Sequence, residues 1–371
     1  MDATAAGGAV TLARALGALV AASGLAVVAC TLTRPLDYLT SGTADGSSPG
    51  DGGIDGGGTG GSPDAEAAVT TIAEAQFSPR NLAQDAENLY WSNADGAIMT
   101  APKIGGPARK IASIAPPAAI TWISADSGAG GDLFFIAADA VQRVPKSGGE
   151  PVLVEKDPPT PRAVAVDADA IFVAHSDFDA IVPGFLARYS RDGSSRAVLS
   201  SDDDPMAVAL HGSSVFWAGS TIDFGAVFEL PKDAPPDSAD QAKIYRGPSE
   251  DDAVYPDLAE AFAVDDEAIY FIELDVTYRL ARSRTTKAQA LFEPPEGAIP
   301  VAFAYDGRDV YIADRRERGT IIRIPKGGGA PTAVAANQAV PTAVVADATS
   351  VYFTVQGTGL APDGAVLRIA K

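Results

Sequence analysis

The sequence predicts an all-β fold, a seven-bladed β-propeller made of four-stranded blades. Three observations lead to this prediction: an aromatic strand motif recurs seven times, each copy follows an alanine-rich strand, and each is followed by a third strand that ends in a turn. The chain also has 37 glycines and 27 prolines, and no long segment shows sustained helical periodicity. Four strands in ~40–45 residues is the size of a propeller blade.

The aromatic motif marks the second strand of each repeat. In the strand before it, alanine alternates with larger residues, as at 163–166 and 302–305. A two-residue period is that of a β-strand, and small side chains suit the crowded axis of a ring of blades. The seven aromatic centres are residues 89–91, 133–135, 171–173, 215–217, 269–271, 310–312 and 351–353.

Between these two strands an acidic residue recurs, five positions before the aromatic centre in most repeats. An aspartate there is predicted to cap a tight turn by accepting hydrogen bonds from its own backbone, rather than to bind a ligand. The residues at this position are Asp85, Asp126, Asp167, His211, Asp265, Asp306 and Asp347.

The third strand ends in Pro-Lys in several repeats, and glycines then turn the chain into a fourth, outer strand. The last repeat reaches Lys371 without an outer strand. Residues 71–85 align without gaps on 333–347, a segment that contains an outer strand and the next inner strand. Residues 71–76 are therefore predicted to complete the last blade beside the C-terminal strand, which removes exposed sheet edges.

Composition narrows the function classes. The formal net charge of −20 repels nucleic acid phosphates, and no Lys/Arg stripe offsets it, so no nucleic acid partner is expected. One cysteine allows no internal disulfide, and two histidines leave little for a zinc site.

Residues 1–30 are predicted to be a signal peptide, since Arg14 precedes an apolar run that is shorter than the ~20 residues of a membrane span. Residues 31–66 are rich in Gly, Ser and Asp and are predicted to be a flexible tether with a reach of roughly 30 Å. The propeller is predicted over 67–371.

The tetrad Val27-Val28-Ala29-Cys30 resembles the lipobox of bacterial lipoproteins. This resemblance implies a diacylglycerol on Cys30 and a lipid anchor in the bacterial cell envelope. Thr31, in place of an aspartate, is similar to lipoproteins sorted to the outer membrane. The alternative is an ordinary cysteine at the end of a signal or core helix.

Leu-Tyr-Trp-Ser-Asn at 89–93 and Val-Tyr-Ile-Ala-Asp at 310–314, each followed by a Gly-x-Ile strand, resemble the YWTD and NHL classes of propeller repeat. With the lipobox and the acidic tether, the chain resembles propeller lipoproteins of myxobacteria and similar bacteria. The resemblance covers 67–371 and implies a fold. YWTD propellers usually have six blades, whereas this chain has seven aromatic centres.

A binding site is expected on the face where loops join the second strand to the third and one blade to the next, because variable loops on a rigid scaffold usually carry binding. This face is predicted to be acidic, with one basic spot at Arg315, Arg316 and Arg318, which Asp314 and Glu317 can neutralise locally. Clustered carboxylates can hold Ca²⁺, which takes roughly six to eight oxygens, or simply be solvated. The acidic candidates are Asp177, Asp179, Asp202, Asp203, Asp204 and Asp223, with Glu260 at the channel mouth.

Three functions remain open, and a non-catalytic binding or protein-interaction module is favoured. Its ligand would be a protein, a small molecule or a glycan, and the chain is expected to be a monomer without a cofactor other than Ca²⁺. The first alternative is a Ca²⁺-dependent propeller hydrolase or lactonase, for which Asn81, Arg162 and Glu260 are the usable channel-mouth groups. His175, expected on a loop, and His211, on a turn, would not share a site. The second alternative is a purely structural scaffold.

Overall fold

Seven antiparallel four-stranded sheets make up the folded chain in the computed structural model. The structure describes residues 68–115, 119–126, 131–156, 160–176, 184–201, 204–220, 225–245, 261–273, 275–283 and 287–371. The predicted signal peptide, the predicted tether and Cys30 lie outside the described residues. Within each blade the strands are called a to d, from the axis of the ring outward.

Blades 1 to 4 follow the chain in order. Blade 1 contains β2 (Pro79–Gln84), β3 (Asn88–Asn93), β4 (Ala97–Pro102) and β5 (Arg109–Ser113), and blade 2 contains β6 (Ile120–Ala125), β7 (Asp132–Ala137), β8 (Ala140–Pro145) and β9 (Val152–Glu155). Blade 3 contains β10 (Pro161–Val166), β11 (Ala170–His175), β12 (Phe185–Ser190) and β13 (Arg196–Ser201). Blade 4 contains β14 (Pro205–His211), β15 (Ser214–Ser220), β16 (Gly225–Pro231) and β17 (Lys243–Tyr245). A single 3₁₀ turn, Ala239–Gln241, precedes β17.

Blades 5 and 6 continue this order, and blade 7 takes its outer strand from the start of the domain. They contain β18 (Phe262–Val264), β19 (Ala268–Glu273), β20 (Val276–Ala281) and β21 (Gln289–Phe292); β22 (Pro300–Tyr305), β23 (Asp309–Asp314), β24 (Gly319–Pro325) and β25 (Thr332–Gln338); and β26 (Pro341–Ala346), β27 (Ser350–Val355), β28 (Gly364–Ala370) and β1 (Val69–Gln76).

The a strands of successive blades contact one another all the way round, from β2 through β26 and back to β2. The sheets therefore form a closed seven-bladed β-propeller, as the repeats predict. Four-stranded blades arranged radially leave only short sheet edges.

The core is divided among the seams between blades. Each of seven hydrophobic clusters of the described residues lies between two neighbouring blades. Strand b is buried on both faces, and its side chains alternate between the two seams that flank it: Tyr90 packs toward blade 2 and Trp91 toward blade 7. Fully burying a large apolar side chain contributes about 1.5–3 kcal/mol, so the aromatic repeat supplies much of the stabilisation.

β1 closes the ring by pairing antiparallel with β28, in a register that runs from Val69 opposite Ile369 to Gln76 opposite Gly364. The predicted closure by residues 71–76 is confirmed, and the strand begins two residues earlier. The buried Gln76 side chain then joins the closing strand to blade 1, because its Oε1 accepts hydrogen bonds from Trp91 Nε1 (3.0 Å) and Asn93 Nδ2 (3.3 Å).

Candidate functional site

The ring has two chemically different faces. Because neighbouring strands are antiparallel, the a–b and c–d turns of every blade lie at one face, which we call the turn face. The b–c loops and the connections from one blade to the next lie at the other, which we call the loop face. The sequence places its binding candidates on the loop face.

On the turn face the recurring aspartates cap their own turns, as predicted. In blade 1, Asp85 Oδ1 accepts hydrogen bonds from the backbone N–H groups of Glu87 (2.9 Å) and Asn88 (2.8 Å). Such Asx-type turns fix the a–b connection without a ligand. The same pair of bonds recurs at Asp167, Asp265, Asp306 and Asp347.

The other carboxylate oxygen serves a different contact, which the sequence reasoning missed. Asp85 Oδ2 accepts a hydrogen bond from Lys146 Nζ at 2.8 Å, and the side chains of both partners are buried. Lys146 follows strand c of blade 2, so this ion pair crosses the seam to blade 1. The equivalent interblade pairs are Lys103–Asp347, Arg191–Asp126, Lys232–Asp167, Lys326–Asp265 and Lys371–Asp306.

Many of these cations also lie over an aromatic ring of strand b in the preceding blade. Lys146 Nζ is 5.4 Å from the centroid of Tyr90, and Lys371 Nζ is 4.9 Å from that of Tyr311. A cation over an aromatic face gains about 0.5–2 kcal/mol, depending on its desolvation. The recurring charged pairs of the turn face thus hold neighbouring blades together.

Blade 4 departs from this pattern in three linked positions. It has His211 where six blades have aspartate, and the cation from blade 5, Arg282, instead contacts Glu229 Oε1 at 3.3 Å. Glu229 lies in strand c, and its position is occupied by Arg323 in blade 6 and by Arg368 in blade 7. In blade 4 the carboxylate therefore lies on strand c instead of in the a–b turn, and it still forms an ion pair with the cation of blade 5.

These contacts hold the carboxylates ionised despite burial. Burial acts to raise the pKa of Asp85, but the hydrogen bonds from Lys146, Tyr90 and its own turn outweigh it and lower the pKa. Burial is likewise opposed by hydrogen bonds from Tyr245 and Ser214, which lower the pKa of Glu229. The pKa is also lowered, against burial, at Asp167, Asp265, Asp306 and Asp347.

Among the acidic candidates of the loop face, the structure describes Asp204. Its backbone has a left-handed φ of 41°, and its Oδ1 accepts a hydrogen bond from the backbone N–H of Gly184 at 3.0 Å. This contact joins the b–c loop of blade 3 to the connection between blades 3 and 4. Asp177, Asp179, Asp202, Asp203, Asp223 and Glu260 lie outside the described residues.

The structure places the three arginines of the basic spot on the b–c loop of blade 6, where they behave differently. Arg316 is neutralised locally, because its Nε lies 2.7 Å from Oδ2 of the buried Asp314. Arg315 is exposed and forms no ion pair within the described part of the chain. Arg318 is also exposed, and its guanidinium donates to the Asn337 side chain at 3.2 Å. Neither Arg315 nor Arg318 thus forms an ion pair with the described residues.

Buried polar side chains at the ends of strand b are a second feature that the sequence reasoning missed. His175 is the last residue of β11 rather than a loop residue, and it is fully buried. It stacks on Phe185 with centroids 4.2 Å apart and lies 3.8 Å from Glu155 of blade 2. Asp314 ends β23 and accepts a hydrogen bond from the Ile299 backbone at 2.9 Å. The signal for these residues is a polar residue in the fifth or sixth position of an otherwise apolar strand.

The central channel contains a cavity of 130 Å³ whose lining is largely apolar. Asn81, one of the predicted channel-mouth groups, donates from its side chain to Ile120 O (2.7 Å) and Ser92 Oγ (3.1 Å). Arg162 donates to Ser176 O at 2.8 Å. Both groups therefore take part in structural hydrogen bonds. The cavity is lined by Asn81, Leu82, Trp122, Ile123, Ala302, Phe303, Ala343, Val344 and Val345.

Among the described residues, no group of three or more His, Cys, Asp or Glu side chains is arranged to hold a metal ion. No helix in the described part of the chain is long and apolar enough to cross a membrane.

Comparison with known proteins identifies the fold of this chain, a β-propeller, and no family. No protein-family model and no curated protein matches the sequence. Solved β-propeller structures do match, and three of them are each 13% identical to this chain or less. The WD40 β-propeller domain of Doa1 superimposes with a TM-score of 0.55 at 12% identity, over 82% of this chain and 97% of that one.

Two further similar structures come from proteins described with a partner or a cellular site. YCF48, solved bound to D1 peptide, has a TM-score of 0.55 at 9% identity, over 83% of this chain and 98% of that one. PorZ, a surface component of the type-IX secretion system of Porphyromonas gingivalis, has a TM-score of 0.53 at 13% identity, over 82% of this chain. This chain spans 39% of PorZ. At these identities the likeness shows a shared propeller fold.

Proposed function

We propose that the chain is a non-catalytic protein-interaction module that is lipid-anchored in a bacterial cell envelope and binds its partner through the loop face. One observation carries this proposal: the recurring charges of the turn face are paired across the seams, whereas Arg315 and Arg318 on the loop face are exposed and form no ion pair with the described residues. Arginine is enriched where proteins recognise one another.

The comparisons support the same kind of function without identifying a partner. YCF48 was solved with a bound peptide, and PorZ is described as an essential bacterial surface component. A propeller hosts many functions, so this support is by analogy of fold.

The test is co-precipitation from a bacterial envelope extract with the purified full chain as bait. We expect a specific protein to be retained, and to be lost with Arg315→Ala/Arg318→Ala. The matched control is Lys110→Ala/Arg308→Ala, which also removes two exposed positive charges, one from an outer strand and one from the turn face. Equal retention by both double variants would contradict binding through the basic loop.

A second measurement distinguishes the interaction module from the alternative of a Ca²⁺-dependent hydrolase. The purified chain is heated with and without Ca²⁺ and assayed for ester and lactone hydrolysis. We expect neither a calcium-dependent shift in melting temperature nor turnover. A shift together with turnover would contradict the interaction module and favour the Ca²⁺-dependent propeller hydrolase, for which Asn81, Arg162 and Glu260 are the channel-mouth groups.

Lipid anchoring is tested independently by growing the host with an alkyne-labelled fatty acid. Cys30 is expected to carry the label and to hold the chain in the membrane fraction. Cys30→Ser should abolish labelling and release the chain. Labelling that persists in this variant would contradict anchoring at this residue.

A further inference from the structure

The basic loop of blade 6 belongs to a longer surface that continues onto blade 7. Its backbone is joined on one side to the connection from blade 5, since Arg315 N donates to Ile299 O at 2.8 Å. On the other side Arg318 reaches Asn337 at the end of β25. We call this surface the basic strip and define it by Ile299, Arg315, Arg318 and Leu360.

The strip extends to Leu360 through the loops of blade 7. The N–H groups of Gln356 and Gly357 donate to Val340 O (2.9 Å) and Ala339 O (3.3 Å), directly after β25. Leu360 follows three residues later on the same b–c loop. The b–c loop of blade 6 is thus hydrogen-bonded to the connection from blade 5 and to β25, and the b–c loop of blade 7 is hydrogen-bonded to the connection that follows β25. A partner would therefore meet a preformed surface.

Positive charge and apolar surface occur together on this strip. Ile299 is 44% exposed and Leu360 is 89% exposed, two of only six large apolar side chains that are exposed among the described residues. The hydrogen bonds described above run from Ile299 to Arg315, from Arg318 to Asn337, and from the connection after β25 to the loop that carries Leu360. Exposed apolar side chains beside a cation are characteristic of protein partners, since a polyanionic glycan would leave them in water.

The charge of the site determines the chemistry of the occupant. A guanidinium binds a carboxylate through two parallel N–H···O bonds, the strongest polar contact available here. Four exposed carboxylates lie on the same loops, those of Glu293, Glu296, Glu317 and Asp363, and the carboxylate of Asp363 accepts hydrogen bonds from the backbone N–H of Thr358 at 3.1 Å. The whole chain carries a charge of −20, but repulsion from charges farther than about 8 Å is screened at physiological ionic strength. The preference for an acidic partner therefore rests on direct contacts with the two guanidinium groups, which form no ion pair with the described residues, and not on the net charge of the surface.

From these observations we infer that the basic strip docks an extended segment of a partner protein in which carboxylates are flanked by apolar side chains. This inference rests on the proposed function and names the partner's chemistry. The carboxylates contact Arg315 and Arg318, and the apolar side chains cover Ile299 and Leu360.

The probe is a phage-displayed library of random 12-residue peptides, selected on the purified full chain. We expect the enriched peptides to contain Asp or Glu next to Leu, Ile, Val or Phe. Synthetic copies should bind at least about tenfold more weakly to Arg315→Ala/Arg318→Ala, a loss of about 1.4 kcal/mol. The control Lys110→Ala/Arg308→Ala should bind as the parent chain does.

A second pair of variants tests the apolar part of the strip. Leu360→Ser should weaken peptide binding, whereas Ile104→Ser should not, although Ile104 is equally exposed (90%) and lies on the turn face. All four variants are checked for an unchanged melting temperature, so that loss of folding is not mistaken for loss of contact.

The outcomes separate this inference from the proposed function. Three results would overturn the inference that the partner segment is acidic. They are enrichment of basic peptides, no enrichment at all, and binding that is insensitive to the two arginines. If co-precipitation then still depends on Arg315 and Arg318, the interaction module stands with a different partner chemistry. Loss of both results would overturn both.

Discussion

The two oxygens of each turn-face aspartate do different work. Oδ1 of Asp85 binds N–H groups two and three residues ahead, whereas Oδ2 binds Lys146, which is 61 residues away. Sequence reasoning finds the first contact because it is local and has a known turn chemistry. The second follows only when the period of the repeat is applied to charged residues, since Lys326 lies the same 61 residues after Asp265.

Removing one member of a buried pair leaves the other charge buried and unpaired, which costs about 3–5 kcal/mol. We therefore expect Lys146→Met to lower the free energy of unfolding by about this amount, because Asp85 is then left without its ammonium. Urea denaturation measures the change. Arg308→Ala is the control, since Arg308 is exposed and its only ion pair with a described residue, Asp309, is weak, at 3.9 Å.

The double variant Asp85→Asn/Lys146→Met should lose less stability than the sum of its single variants, because neither charge remains unpaired. Single variants within about 0.5 kcal/mol of the parent chain would contradict a stabilising interblade pair.

The exception in blade 4 offers a rescue experiment. Glu229→Gln should destabilise the chain, because Arg282, Lys243 and Tyr245 all contact this carboxylate. Adding His211→Asp restores the aspartate found in the other six blades and should recover part of the loss, since Arg282 then gains its usual partner. Thermal unfolding of the parent and of the single and double variants measures this. If His211→Asp lowers the melting temperature equally in both backgrounds, the two positions are not equivalent.

At the scale of strands, periodicity predicts the elements well and their ends less well. The aromatic centres give strand b in every blade, and the Pro-Lys signal marks the end of strand c at Pro102, Pro145, Pro231 and Pro325. His175 and Asp314 were expected in loops, but their strands include them because each polar side chain has a partner, Glu155 of blade 2 for His175 and the backbone N–H of Ile299 for Asp314. A sequence window contains no information about a partner from another blade.

Glycine at the start of strand c also has a tertiary cause. A Cβ on Gly319 would lie 2.0 Å from Asp314 O and 2.5 Å from Pro341 Cδ, where blade 7 begins. Only glycine fits this approach, so the end of the basic loop of blade 6 is fixed in place. The sequence pattern marks this glycine as the start of a Gly-x-Ile strand, but the close approach to blade 7 follows only from the structure.

The closing strand is predicted to be essential to the ring. A chain that starts at Phe77 lacks β1, exposes the edge of β28 and uncovers the seam side chains that Ile72 covers. We expect it to lose about 3 kcal/mol or more of unfolding free energy, from apolar burial and lost ladder hydrogen bonds.

The control for this truncation is a chain that starts at residue 67, which keeps β1 and should melt like the full chain. Calorimetry compares the two. Identical melting temperatures for the two truncated chains would show that closure by β1 contributes nothing.

At the scale of the whole molecule, the set of lowered carboxylate pKa values predicts an acid-sensitive fold. The folded-state pKa lies below the unfolded value of about 4 at Asp85, Asp167, Asp265, Asp306, Asp347 and Glu229. Such groups contribute stability that is complete above that value and is lost as the pH falls through the folded pKa. Urea midpoints should therefore be constant from pH 7 to about 5 and fall steeply between about pH 4 and 2.

Asp265→Asn is the matched variant for this pH series. It is expected to be less stable at pH 7 and to show a shallower decline below pH 4, because the contribution of one group has been removed. A decline as steep as that of the parent chain would show that Asp265 is not among the groups responsible.

The whole fold could be predicted because each repeat carries the same local signals and because the phase of residues 71–85 matches that of 333–347. The candidate site was predictable only in part. The sequence identifies the basic loop, but Arg315, Arg316 and Arg318 are equal there, and the structure alone shows that Asp314 neutralises Arg316. Exposure of Ile299 and Leu360 likewise depends on neighbours that are distant in sequence.

The closing strand also determines how the ring responds to mechanical force. The backbone of β1 is paired on one side only, with β28, and its first pair joins Val69 to Ile369. A pull applied through Val69 therefore acts on that pair before any other, and force enters the propeller at the outer edge of blade 7. The ring would therefore open first between β1 and β28, and tension on the N-terminal side would act on the single strand β1.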